Sequence, residues 1–485
     1  MKLPPSSGSL LCTSFALLRG LLAVALTFSP ALLAAAEMRP NVVLIFVDNL
    51  GNGDLGCFGS TLHRTPHIDR MAAEGMKLTS FYVASGVCTP SRAALMTGCY
   101  PLRVNLHANA QGGAVLRPLD ARGLNPEETT MAEVLKTAGY ATGIFGKWHL
   151  GDQREFLPTR QGFDEFFGLP YSDDMTRDKS PETWPELPLM RGEKVVEAPP
   201  DRDFLVKRTT EEVIGFIERN RERPFFAYVP HTMPGSTPHP YASPAFRGKS
   251  QNGAYGDSVE ELDWSTGEIL AALKRLGLDE RTLVIWTSDN GAVQRRPAQG
   301  SCAPYRGMGY DTSEGAMRMP CVLRWPGRIP AGQTNDALCS AMDLLPTLGA
   351  LAGAPPPERA IDGHDIRPLL LGAKGAPSPW DQVGLGFYRM EQLQAVRAGS
   401  WKLYLPLAAK YVTLARKTAP AELALYNVRE DVHEDREVSA AQPEVVQQLL
   451  GYAERLRAEI GDVDRAGSGQ RPAGNVAEPQ ALRAN

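Results

Sequence analysis

The stretch C-T-P-S-R-A-A-L-M-T-G, from Cys88 to Gly98, holds a thiol, a proline two residues on and an arginine four residues on. Proline suits the first turn of a helix, where its missing N–H would have no partner in any case. The Ala/Leu/Met run continues a helix, and Gly98 offers a stop. Cys88 is thus expected just ahead of a helix N-terminus, where unpaired N–H groups and the macrodipole favour an anion. Arg92, one turn in, adds a cation that can fork onto oxyanions. Two readings compete: a buried structural thiol, the commoner fate of a free cysteine, and a nucleophile at an anion site. The order C-x-P-S-R favours the second.

Such a site needs elements to carry it. The unbroken apolar run 41–47 reads as a strand buried on both faces, as in parallel sheets, and it ends in Asp48-Asn49-Leu50-Gly51. A matching run at 282–287 ends in Ser288-Asp289-Asn290-Gly291. Ligands of open α/β sheets collect beyond the carboxyl ends of strands. Two strand ends carrying Asp-Asn can supply four oxygens to one hard cation, calcium or the geometrically stricter magnesium. Taken singly, each aspartate reads equally well as a turn or helix-cap acid. A strand at 141–145 leads into Gly146-Lys147-Trp148-His149-Leu150-Gly151, bringing a lysine and a histidine to another strand end. On composition alone these are a solvated lysine and a satisfied loop histidine.

The α/β alternation continues along the chain. Helices are expected at 65–75, 129–139 and 204–220, a strand at 225–229, and a long amphipathic helix at 253–277. In that last helix Val259, Leu262, Ile269, Leu270, Leu273 and Leu276 mark the core side, and Glu260, Glu261 and Asp263 a solvated face. Residues 178–201, rich in proline and charge, read as a surface excursion. A strand at 321–325 and a helix opening at Asp343 precede a turn-rich boundary at 372–379. Short strands at 383–387, 394–398, 401–405 and 423–427 and a helix at 443–460 then suggest a small α+β domain. Residues 467–485 are polar and irregular, the composition of a frayed tail.

The length, 485 residues, allows two or three domains. A net charge of −4 with no long basic run argues against nucleic acid as the main partner. Lys2 and Arg19 precede an apolar stretch at 21–36 that closes in three alanines, which fits a secretory signal peptide cleaved near Ala36 and hence an exported protein. An uncleaved anchor is the alternative, and no later stretch is apolar enough for a stable membrane span. Seven cysteines form no disulfide scaffold at this length, their pairing is not readable, and no C-x-x-C pair suggests zinc.

The C-x-P-S-R and G-K-W-H-L-G stretches resemble the type I, formylglycine-dependent sulfatase family. L-P-T-R-Q-G-F-D-E-F-F-G at 157–168 and Pro170-Tyr171-Ser172 are similar to its arylsulfatase A-like branch. The resemblance spans nearly the whole mature chain. It implies an α/β, alkaline phosphatase-like catalytic domain at 37–375, a large mixed sheet flanked by helices. A smaller C-terminal α+β domain at 376–466 and a flexible tail at 467–485 would follow. The implied reaction is hydrolysis of a sulfated small molecule or glycan with S–O cleavage. Cys88 would be oxidised by a formylglycine-generating enzyme to an aldehyde that hydrates. One hydroxyl attacks sulfur, and the other loses its proton and expels sulfate. By the same resemblance Asp48, Asn49, Asp289, Asn290 and the formylglycine oxygen at Cys88 hold Ca2+ or Mg2+. Arg92 and Lys147 would support the hydrate and sulfate oxygens, His149 would partner the hydroxyl, and Ser172 would touch the sulfate.

The pattern is departed from at defined places. Asn49 stands where the family usually has a second aspartate. The branch reads P-H-T-M-P-H-V-P after its strand, but here Gly235 holds the place of the second histidine, leaving His231 and His239 as candidate sulfate contacts. Gly309 stands where L-R-x-G-K-G-T-T-W-E-G-G has its sulfate-binding lysine, a loss of up to about a thousandfold in rate. On this alignment Gly309→Lys is expected to restore about tenfold of it. Arg295 and Arg296 either replace some of that charge or form a solvated pair. These departures keep two alternatives open: an impaired homologue that binds sulfated glycans, and a phosphonate or phosphate ester hydrolase of the same superfamily.

Overall fold

The apolar run Asn41–Val47 (β1) is buried along its whole length, because it is the central strand of a large mixed sheet. The computed structural model describes residues 1, 39–373, 375–407 and 422–483. The expected signal segment, Met1 apart, lies outside them. In chain order the strands that follow are β2 (Met76–Tyr82), β3 (Arg122–Gly123), β4 (Ala141–Lys147), β5 (Glu165–Leu169), β6 (Leu189–Arg191) and β7 (Lys194–Glu197). Next come β8 (Phe225–Val229), β9 (Thr282–Ser288), β10 (Arg318–Arg324), β11 (Gln333–Asn335) and β12 (Cys339–Ser340).

The large sheet runs β11-β2-β10-β9-β1-β8-β4-β5-β6-β7, with β12 beside β2. Its centre is parallel: β1 lies between β8 and β9, and β4 continues from β8. β10 is antiparallel to both β9 and β2. The β1–β9 register pairs Val47 with Ser288, so the next residues, Asp48 and Asp289, emerge side by side. Lys147, the last residue of β4, emerges at the same edge of the sheet.

Successive side chains of a strand face opposite sides, and β1 uses both. Val42, Leu44 and Phe46 enter a core with the helices Cys88–Thr97, Met131–Thr137 and Leu344–Ala352. Val43, Ile45 and Val47 enter a second core with the helices Pro66–Ala73, Leu205–Arg219 and Gly253–Arg275. Each fully buried aliphatic side chain contributes about 1.5–3 kcal/mol, so the helices packed on both faces fix the position of the strand ends.

The second sheet is antiparallel, in the order β13 (Leu385–Arg389), β14 (Gln392–Ala398), β15 (Trp401–Tyr404) and β16 (Ala424–Asn427). The helix Pro443–Glu459 covers it with Val446, Leu449, Tyr452 and Ala453. The core of this sheet is continuous with the first core of the large one. Buried charge also ties the two. Lys402 of β15 donates to Glu314 Oε1 at 2.9 Å, and Arg318 of β10 donates to Glu314 Oε2 at 3.2 Å. Burial pushes the Glu314 carboxyl up, but Lys402, Arg318 and Arg397 outweigh it and hold the group down at about 2. Among the described residues no helix is long and apolar enough to cross a membrane.

Three regions differ from the sequence reading. Residues 189–197, expected in a surface excursion, form the hairpin β6–β7 that extends the sheet edge. Part of the polar stretch beyond 467 is held: Gly474–Asn475 pairs with β3, and Arg471 donates to both carboxyl oxygens of Glu128 at 2.7 Å. The acids of Gly253–Arg275 are not a solvated face, since Glu261 and Asp263 are buried. Asp263 Oδ1 accepts the His67 and Ile68 backbone N–H groups at 3.0 and 2.8 Å. Thr65 makes no side-chain cap for the helix Pro66–Ala73, so Asp263 caps that helix from a distant element. Replacing a helix-capping acid costs about 0.5–2 kcal/mol. Asp263→Ala is therefore expected to lower the urea midpoint of unfolding, and an unchanged midpoint would show that the cap contributes nothing.

Candidate active site

The helix Cys88–Thr97 starts at Cys88 itself, so the thiol sits on the first helical residue rather than ahead of it. Gly98 ends the helix in a left-handed conformation, φ 67°, with its N–H on Ala94 O at 2.9 Å. Four-residue spacing puts Cys88 and Arg92 on one face, and both are buried under the ends of β1 and β9.

Arg92 organises that space. Its Nη2 donates to Asp48 Oδ2 at 2.9 Å and to Asp289 Oδ2 at 2.8 Å, its Nε to Asp289 Oδ2 at 3.1 Å, and its Nη1 to Lys147 O at 3.0 Å. Lys147 Nζ forms an ion pair with Asp48 Oδ2 and donates to Ser172 Oγ at 3.1 Å. The Asn49 backbone N–H donates to Asp289 Oδ1 at 3.0 Å, and its Nδ2 to Asp48 Oδ1 at 2.6 Å. Asn290 Nδ2 donates to Asn49 Oδ1 at 2.5 Å. Cys88 Sγ lies 3.9 Å from Asp48 Oδ1.

The electrostatics follow from this crowding. Burial and the neighbouring Asp289 push the Asp48 carboxyl up, against Lys147 and Arg92, to about 6. Burial, then Asp289 and Asp48, pushes the Cys88 thiol well above its ordinary value. His149 has its Nε2 on Leu116 O at 3.0 Å, and burial, then Lys147 and Arg92, drives it well below its ordinary range. The ring is therefore neutral, with Nε2–H donating and Nδ1 left as the basic atom. That Nδ1 is buried and has no partner among the described residues.

Of the eleven residues singled out from sequence, two are not brought to this cluster. His231 turns toward the long helix, with its Nε2 3.1 Å from Ser265 Oγ, and burial lowers it to about 3. His239 is exposed. Gly235 explains why no histidine takes its place. Its backbone is left-handed, φ 67°, and a Cβ there would lie 2.7 Å from Thr232 O and 3.1 Å from Asp173 Oδ1. Asp173 fills that space, fully buried, with both carboxyl oxygens lacking a partner among the described residues. Burial, then Asp174, pushes it up to about 7.

Gly309 is likewise a close-approach position. A Cβ there would stand 2.4 Å from Gly291 O and 3.0 Å from Asn290 Nδ2. Arg295 is not part of a solvated pair: it is buried, its Nη2 bonds the Gly235 carbonyl, and its guanidinium lies 4.8 Å from the Tyr255 ring centre. Arg296 is exposed. Two residues of the site were missed in the sequence. Ser236 Oγ accepts from Asn49 Nδ2 at 3.0 Å and is 2.8 Å from the Tyr310 hydroxyl. A tyrosine directly after Gly309, where the branch pattern has glycine, was the available signal.

The donor set fits a hard cation. Ligand atoms of Asp48, Cys88 and Asp289 all lie within 4.8 Å of one another, and Asn290 Oδ1 is buried without a partner among the described residues. Carboxylates and an amide oxygen are what calcium and magnesium take. Two buried carboxylates face two buried cations, so a divalent ion would leave the pocket positive and receptive to an anion.

A family profile described as Sulfatase matches residues 40–354, and one described as N-sulphoglucosamine sulphohydrolase, C-terminal, matches residues 308–459. Arylsulfatase A of Homo sapiens is 38% identical over 466 residues, covering 88% of this chain and 89% of that protein. N-acetylgalactosamine-6-sulfatase of Canis lupus familiaris is 40% identical over 385 residues, covering 76% of this chain and 72% of that protein. Among solved structures, the PsFucS1 sulfatase from Pseudoalteromonas sp. aligns with a TM-score of 0.77 at 28% identity, over 87% of this chain and 91% of that one. The residues matched by the two profiles include both sheets. The chain belongs to the formylglycine-type sulfatase family, with its alkaline phosphatase-like fold, and is a sulfuric ester hydrolase.

Proposed function

We propose that the enzyme hydrolyses aryl or carbohydrate sulfate esters at this site with S–O cleavage, with residue 88 as formylglycine and calcium or magnesium at the Asp48–Asp289 pair. The geometry around Cys88 carries the reading. Its Sγ lies 3.9 Å from Asp48 Oδ1, beside the Asp48–Asp289 pair and on the helix face of Arg92, where an oxygen on residue 88 would meet both the cation and the sulfate. When present, the hydrated aldehyde supplies a hydroxyl nucleophile toward sulfur, and the cation supplies Lewis-acid stabilisation of charge on the sulfate.

The chain's own residues then have distinct tasks. Asp48, Asn49, Asp289 and Asn290, with the oxygen at position 88, would hold the cation. Arg92 keeps the two carboxylates in register by binding Oδ2 of each. Lys147, bridging Asp48 and Ser172, presents its ammonium to the sulfate oxygens beside the Ser172 hydroxyl. His149 takes the proton of the hydroxyl at position 88 on Nδ1, its ring fixed by Leu116 O. Cys88 is only 4% exposed in the fold, so the formylglycine-generating enzyme acts before the chain folds. Export through the segment 1–36 would bring the unfolded chain to it.

Mass analysis of the peptide around residue 88 from protein made with a formylglycine-generating enzyme is expected to find the aldehyde, and Cys88→Ala to release no sulfate. An unmodified thiol in active enzyme would reject the formylglycine assignment. Asp289→Asn removes a charged ligand. Outer-shell partners alone are worth 10–100-fold in metal affinity, so calorimetry should find calcium binding weakened by at least about tenfold. Unchanged binding would remove Asp289 from the ligand set. Gly309→Lys is now expected to lower stability, because its Cβ would meet the Gly291 carbonyl at 2.4 Å. Overpacking of this kind costs about 1–3 kcal/mol. A variant with unchanged melting temperature and raised kcat/KM would show that the loop yields.

A further inference from the structure

Seven residues other than glycine have a left-handed backbone among the described residues, and three of them belong to this site: Asn49 at φ 62°, His149 at φ 62° and Tyr310 at φ 84°. Residues held in such conformations concentrate where function requires them. Asparagine adopts this region readily, but a bulky side chain there is an outlier, and glycine would sit at position 310 without strain. Tyr310 is held by its N–H on Gly86 O at 2.8 Å, two residues before Cys88.

Its side chain joins a chain of contacts that starts at the carboxylates. Asn49 Nδ2 donates to Asp48 Oδ1 at 2.6 Å and to Ser236 Oγ at 3.0 Å, and Ser236 Oγ is 2.8 Å from Tyr310 Oη. Asn49 follows β1, Ser236 follows β8, and Tyr310 lies in the connection between β9 and β10. Asp48 and Cys88 are buried, whereas Ser236 and Tyr310 are partly exposed, so the chain leads from the floor of the site to its mouth. After burial, Cys88 is the strongest influence raising the phenol, which stays protonated and able to donate.

We infer that Tyr310 is a substrate-contacting residue of this sulfatase, its phenol oriented by Ser236 to donate a hydrogen bond to an oxygen of the bound sulfate ester. This rests on the sulfatase reading of the site. Either hydroxyl of the Ser236–Tyr310 pair can donate; when the ester binds, Ser236 Oγ accepts from Asn49 and turns its own hydrogen to Tyr310 Oη, so that the phenol hydrogen goes to the anion. Donors aligned in sequence polarise one another, which strengthens the last bond, and a bond to a charged acceptor is the stronger kind. The donor is neutral and directional where the branch pattern has an ammonium.

The test compares aldehyde-bearing wild type, Tyr310→Phe and Tyr310→Gly on a small aryl sulfate, with melting temperatures and calorimetric binding of inorganic sulfate. Tyr310→Phe is expected to lose about ten- to hundredfold in kcat/KM and to bind sulfate more weakly at unchanged melting temperature. Tyr310→Gly should show the same losses with an unchanged or higher melting temperature, since glycine relaxes the backbone. Tyr310→Phe equal to wild type in turnover and in sulfate binding overturns the inference. So does a melting temperature that falls in Tyr310→Gly while Tyr310→Phe keeps full activity, which marks a structural tyrosine. If aldehyde-bearing wild type releases no sulfate, the sulfatase reading fails. Weaker sulfate binding by Tyr310→Phe would then still support the contact, and equal binding would overturn it.

Discussion

Two carboxylates buried side by side repel each other, and everything at this site depends on the guanidinium that lies between them. Arg92 donates from one nitrogen to Asp48 and Asp289 alike, at 2.9 and 2.8 Å. Asp48 follows β1, Arg92 belongs to the helix Cys88–Thr97 and Asp289 follows β9, so the contact also locks three elements in register. Burying charge is expensive, and removing one partner of such a set costs about 3–5 kcal/mol, because the others are left uncompensated. Apolar residues of similar size would serve stability as well. Stability alone therefore does not account for the cluster, and the β1–β9 register is what brings its two carboxylates together.

How far that device could be read from sequence follows from where each residue's partners lie. The central strands were legible because helices cover both faces, so 41–47, 225–229 and 282–287 are nearly continuous apolar runs. The strand β2 alternates buried and half-buried residues and is broken by Lys77, and β5 is five residues long with a glycine inside it. Neither carries a local signal strong enough to separate it from loop. The acids of the helix Gly253–Arg275 show the same limit from the other side. Asp263 looks like a solvated residue until a helix almost two hundred positions earlier presents its N–H groups.

At the site itself, the residues carried by motifs at strand ends do converge: Asp48, Asn49, Lys147, Asp289 and Asn290 come together, with Cys88 and Arg92 from the helix and Ser172 from a neighbouring loop. What spacing could not supply was the direction of side chains in irregular loops. His231 lies next to the end of a site strand yet bonds Ser265 beneath the sheet. Ser236 and Tyr310 lie far apart in the chain and meet only because β8 and β9 flank β1.

The departures from the family pattern make physical sense as a set. Asn49 in place of aspartate removes one negative charge from the carboxylate cluster, and Gly309 in place of lysine removes one positive charge beside it. The two changes cancel, and they are contiguous in space: a side chain at 309 would begin 3.0 Å from Asn290 Nδ2, which itself donates to Asn49 Oδ1. With aspartate at 49 and no lysine, the cation would face an extra anion and the pocket would hold a sulfate less well. With asparagine at 49, the same amide that lacks the charge has two N–H groups, one for Asp48 and one for Ser236. A carboxylate can only accept, so it could not hand a hydrogen bond outward through Ser236 toward Tyr310. The loss of charge and the gain of an amide donor to Ser236 are thus two consequences of one substitution.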